Sequence, residues 1–136
     1  MAGGARRRRL EAFREIRDLV ETLNYRVDAV LVEGRHDAET LRRLGFRGRI
    51  VRVSDYGAPL VELAYEVSER VRSVAVLTDF DEKGELMARK LTAVLQELGV
   101  RVDYRTREEF REVLARHGLR TIESIASLAP RHNHGL

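Results

Sequence analysis

The chain has 136 residues, a normal length for one compact domain and too short for two ordinary ones. Hydrophobic residues make up 43% and charged residues 35%, enough for one core under a heavily charged surface; cysteine is absent, which excludes disulfides and thiolate metal sites. No apolar run approaches the roughly 20 residues that cross a bilayer, and the net charge of +3 opens no broad basic surface.

The whole charge surplus lies at the start. Residues 1–26 hold seven Arg against four acidic residues, and the remainder is balanced. The basic run Arg6–Arg9 leads into an amphipathic segment, not the apolar core of a signal peptide, so the cytoplasm is the expected compartment. Leu10, Phe13, Ile16, Val20 and Leu23 recur at helical spacing and predict a helix over 5–23. This basic helix offers a phosphate contact, or a surface for a protein partner or a second copy; a solvated helix end explains it as well. Val27–Val32 is β-branched and apolar, a short buried strand. A helix over 36–44 follows and stops at Gly45. Arg49–Val53 is a second strand, and Pro59 suits the first turn of a helix running to Val71. Ser73–Thr78 is the third strand, followed by a loop to Gly84 and a long helix over 85–98. Val100–Tyr104 is the fourth strand, Thr106 is the expected N-cap of the next helix, and a last short helix covers 122–128.

Strands and helices alternate four times, which implies an α/β fold with a mainly parallel four-stranded sheet, helices on both faces and an added N-terminal helix. The expected division is a basic segment over 1–26, a domain over 27–128 and a loose tail over 129–136.

Ligands of an open parallel sheet bind beyond the carboxyl ends of its strands. Two such ends carry clustered acids. Glu33-Gly34-Arg35-His36-Asp37 follows the first strand, and Asp79-Phe80-Asp81-Glu82-Lys83-Gly84-Glu85 follows the third. Adjacent carboxylates repel and resist desolvation, so the cluster calls for a cation. Mg²⁺ meets that need, since it takes oxygen ligands and keeps waters that a phosphate can replace. Asp79 and Asp81 are two apart and share one side of an extended backbone. Each acid alone is explained as well by helix capping. The set, an Asp-x-Asp-x-x-Gly after one strand and a Glu-Gly after another, is harder to explain that way.

These two segments, VEGRHD over 32–37 and LTDFDEKGE over 77–85, resemble the glutamate and Asp-x-Asp motifs of Toprim domains. Their order and placement match too. The resemblance covers 27–104 and implies a Toprim-like, Rossmann-like fold and Mg²⁺-dependent chemistry on nucleic-acid phosphates, with Mn²⁺ as a substitute. It implies Glu33 as general acid or base and, with Asp79 and Asp81, as a holder of the metal. Arg35, Asp37, Lys83, Arg105 and Arg107 are the candidate substrate contacts, although Asp37 serves equally as a dipole partner of its helix. No tyrosine-bearing gate or template-binding domain fits in this length. The chain is therefore similar to small stand-alone Toprim proteins, including nucleases that mature 5S ribosomal RNA and small archaeal members, with Phe80 where the nuclease motif has Pro. The expectation is a small endonuclease acting on structured RNA more than DNA. The alternative is a metal-dependent nucleic-acid-binding module without turnover inside a processing or repair complex.

Overall fold

Short, continuously apolar runs rich in β-branched residues make strands that are buried on both faces. In the computed structural model, which describes residues 2–57 and 59–130, these runs form β1 (Ala29–Val32), β2 (Arg49–Arg52), β3 (Ser73–Leu77) and β4 (Arg101–Val102). The order across the sheet is β2-β1-β3-β4, and every neighbouring pair is parallel. The central strands β1 and β3 are buried throughout, whereas the edges β2 and β4 keep exposed positions. The sheet is thus wholly parallel where a mainly parallel one was expected.

Five helices cover it: α1 (Ala2–Arg26), α2 (Arg35–Arg43), α3 (Leu60–Arg70), α4 (Glu82–Glu97) and α5 (Tyr104–Arg116). Helices α3 and α4 pack on one face against Ala29, Leu31, Val74 and Val76. Helices α1, α2 and α5, with a 3-10 segment at Glu123–Leu128, cover the other face over Val30, Val32, Ala75 and Leu77. The fold is α/β and Rossmann-like. From β1 the chain steps outward to β2, then crosses back over β1 to β3. The direction reverses between β1 and β3, and that reversal opens the crevice in which such sheets bind ligands.

The amphipathic stripe of α1 faces this core. Phe13, Ile16, Val20 and Leu23 are each at most 3% exposed. At about 1.5–3 kcal/mol for each large apolar side chain buried, four of them bind the helix firmly to the domain. The apolar stripe of α1 is therefore covered from within, and the helix shares one core with the α/β domain. Helix α1 runs antiparallel to α5: Arg26 lies 3.3 Å from Thr106 near one end, and Glu15 meets Arg116 at 3.4 Å near the other.

Several boundaries differ from the sequence reading, and three of them have a visible cause. Helix α4 starts at Glu82 because Asp81 caps it, three residues earlier than expected. Strand β4 stops after two residues because Asp103, not Thr106, caps α5: its carboxylate accepts from the Thr106 N–H at 3.2 Å and the Thr106 hydroxyl at 2.7 Å. Strand β2 ends in a 3-10 turn over Val53–Asp55. Of the tail expected over 129–136, residues from 131 onward lie outside the described residues. Among the described residues no helix is long and apolar enough to cross a membrane.

Candidate functional site

The carboxyl ends of β1 and β3 lie side by side, since Val32 pairs with Leu77. Glu33 and Asp79 extend from these ends. The backbone N–H of Asp79 donates to Oε1 of Glu33 at 3.3 Å. Burial raises the Asp79 carboxyl, and Glu33, Asp37 and Asp81 add negative charge around it, so that it is pushed up to about 7.

Asp81 is both cap and candidate ligand. Its Oδ1 accepts from the Gly84 N–H at 2.7 Å, which leaves Oδ2 for another partner. Gly84 is required here: a Cβ at this position would overlap the carbonyl of Asp79. The Thr78 hydroxyl donates to the Gly84 carbonyl at 2.8 Å and ties the helix start to the strand end. The loop after β3 is therefore a tight wrap closed at both ends.

Asp37 is 5% exposed and both of its oxygens are engaged. One accepts from the Gly34 N–H at 3.1 Å, and the other accepts from the Glu123 N–H at 2.9 Å. It acts as a cap and a cross-link, so its expected role as a substrate contact does not fit this arrangement.

Arg107 departs furthest from expectation. It is 0% exposed, the largest fully buried side chain. Its guanidinium donates to the carbonyls of Val76, Thr78 and Asp79 at 2.9 to 3.0 Å and to Glu85 at 2.7 Å, and it stacks over the Phe80 ring at 4.4 Å. Every donor group faces protein, so Arg107 holds the Asp-Phe-Asp loop from beneath instead of meeting a phosphate. Glu85 is shared with Arg111, at 2.9 Å from its Nη2. Burial pushes the Glu85 carboxyl up, but the hydrogen bonds from Arg111 and Arg107 together with their charge outweigh it and hold it below the usual range.

The remaining expected contacts scatter. Arg35 is exposed and lies 3.7 Å from Glu39. Lys83 is exposed on the first turn of α4, beside the acids. Arg105 is exposed but far down the sheet, because α5 starts where the Asp103 N–H donates to the Val74 carbonyl, near the beginning of β3. The early end of β4 removes Arg105 from the acidic crevice.

Comparison with known proteins agrees with the fold. No family model matches the chain. A solved structure of a protein from Aquifex aeolicus aligns with a TM-score of 0.61 at 22% identity, over 79% of this chain and 94% of that one, and shares the fold. The chain is 38% identical over 118 residues to a UPF0292 protein of Thermococcus gammatolerans, covering 87% of this chain and 86% of the relative. A UPF0292 protein of Pyrococcus horikoshii is 38% identical over 119 residues, covering 88% and 87%. One of Methanocaldococcus jannaschii is 32% identical over 123 residues, covering 88% and 94%. Identity of this extent, along nearly the full length of both partners, means that the chain belongs to the UPF0292 family.

Proposed function

We propose that this protein is a Toprim-type enzyme that cleaves nucleic-acid phosphodiesters with the help of Mg²⁺, acting on structured RNA. The observation that carries the reading is the Glu33–Asp79 contact at the strand reversal, with Asp81 two residues on. The donor chemistry fits a hard divalent ion, since Glu33, Asp79 and Oδ2 of Asp81 all offer carboxylate oxygen. When bound, Mg²⁺ or Mn²⁺ would neutralise a phosphate and stabilise the departing oxygen. Asp79 and Asp81 would hold the ion, and Glu33 would manage the proton. Among the described residues no three acidic or histidine side chains are gathered ready to hold an ion, so binding would require these carboxylates to draw together around it. Arg107, Glu85 and Thr78 would keep the loop rigid while this occurs.

The same point favours a second reading. Asp37 has both oxygens committed to backbone N–H groups and Asp81 has one, which leaves few ligands free. A non-catalytic domain that docks nucleic acid within a larger complex would need no more.

Incubation with labelled structured RNA, single-stranded DNA and supercoiled DNA, in Mg²⁺ or EDTA, separates the two. Mg²⁺-dependent cuts that disappear in Asp79→Asn establish the nuclease and name its polymer. Metal-dependent retention without cuts establishes the docking module. Cutting that survives both Asp79→Asn and Asp81→Asn removes the assignment.

A further inference from the structure

A third segment reaches the acidic loops, and neither motif contains it. After α5 the chain returns over residues 119–123, held by two hydrogen bonds. The Phe80 N–H donates to the Arg120 carbonyl at 2.7 Å, and the Glu123 N–H donates to Oδ1 of Asp37 at 2.9 Å. Ile122 and Ile125, each 0% exposed, anchor the segment in the core. Asp37 thus fixes this segment and the Glu33-Gly34 loop with one carboxylate. Arg120 is seated against the middle residue of Asp79-Phe80-Asp81.

A site for phosphates needs a cation beside its acids. Arg107 is buried on carbonyls and Glu85, Arg111 is spent on Glu85, and Arg105 lies at the level of Val74. Arg35 is near Glu39 at 3.7 Å. Arg120 has an exposed side chain, and among the described residues no ion pair engages it. We propose that Arg120, held against the Asp-Phe-Asp loop by its own backbone, supplies a substrate-phosphate contact of the acidic site, alongside the exposed Lys83 on the first turn of α4. This rests on the nucleic-acid reading given above. A guanidinium at this position offers the planar pair of donors that fits a phosphate. Its backbone anchor removes the cost of ordering the main chain there, and only the side chain's own torsions are left to fix.

The test is binding of a labelled RNA hairpin and a labelled single-stranded DNA, in Ca²⁺ to hold back cleavage, over a series of salt concentrations. The proteins compared are the wild type, Arg120→Ala, Arg120→Lys, and Arg43→Ala on the far side of the domain. Melting curves show that each is folded. Arg120→Ala is expected to weaken binding at least about tenfold, as the loss of a charged hydrogen bond would. It should also lower the slope of log affinity against log salt by about 0.7–0.9. Arg120→Lys should restore the slope but only part of the affinity, and Arg43→Ala should change neither. Wild-type affinity and slope in Arg120→Ala, with metal-dependent binding or cleavage still lost in Asp79→Asn, would overturn the proposal and leave the site reading standing. Failure of the wild type to bind or cut either polymer would remove both.

Discussion

Asp79 gives its backbone N–H to the carboxylate of Glu33 at 3.3 Å, while burial and the charge of that same carboxylate raise its own carboxyl. The backbone bond ties the ends of two adjacent strands, and the raised carboxyl makes the tie sensitive to pH. The folded value of about 7 lies above the ordinary 3.8, so protonation favours the folded state. Its contribution is complete below about pH 4 and is lost as pH rises through 7. Melting in EDTA is therefore expected to show wild type losing ground to Asp79→Asn between pH 5 and pH 8, as a carboxamide carries no charge. Parallel melting curves for the two proteins over this range would show that the Asp79 carboxyl is not raised.

Arg107 holds three carbonyls and Glu85 from a fully buried position. Arg107→Met keeps much of the volume but leaves those acceptors without donors. Urea unfolding at pH 7 is expected to show a loss of about 3–5 kcal/mol. Arg111→Ala, at a partly exposed position, should cost under about 1 kcal/mol. Since Glu85 is held below its ordinary 4.5, what its partners contribute is present above that value and fades as pH falls through the lowered one. The gap between wild type and Arg107→Met should narrow on acidification; a gap that widens would mean that Glu85 is not the partner that matters.

Gly84→Ala forces a Cβ into the Asp79 carbonyl, whereas Gly57→Ala meets nothing within 4 Å. The first is expected to cost about 1–3 kcal/mol by overpacking, and to abolish the stabilisation by Mg²⁺ in a thermal-shift assay. The second should leave the Mg²⁺ response intact. Equal responses in the two variants would separate the loop from metal binding.

Asp37→Ala removes acceptors from the Gly34 and Glu123 amides. The expected cost is about 1–3 kcal/mol. Hydrogen exchange of the Glu123 amide should speed up well beyond the change at Leu31, in the middle of the sheet. If the two amides accelerate alike, the cross-link has no local role.

Much of this architecture is legible in the sequence because its signals are local. The apolar runs at 29–32 and 73–77 mark the buried central strands, and the alternation of elements marks the parallel sheet. The acids after β1 and β3 stand out because they come directly after apolar runs. The strand order is not legible, because it depends on which way the chain crosses after β2, and no local pattern encodes that. The burial of Arg107 is hidden for a related reason. On an amphipathic helix an arginine reads as exposed, and only the three-dimensional path of Val76 to Asp79 supplies acceptors that let it be buried. The one hint is Glu85, an acid in the second motif for which the motif itself gives no use. Arg120 lies about forty residues beyond the Asp-x-Asp motif, joined to it by a backbone bond that no side-chain pattern announces.

The antiparallel packing of α1 on α5 sets where the first four arginines stand. Glu15 pairs with Arg116 close to where the chain turns back toward Phe80, so the helix upstream of Glu15 continues past that end of the sheet. Arg6–Arg9 are exposed and lie six or more residues beyond, about 9 Å or more along the axis. Arg8 and Arg9 line one concavity with Arg116 and His117, so this cationic end lies beside the close of α5. On the proposed nucleic-acid reading, the polyanion would meet this cationic end first, and added salt would slow the encounter more than the steps after docking.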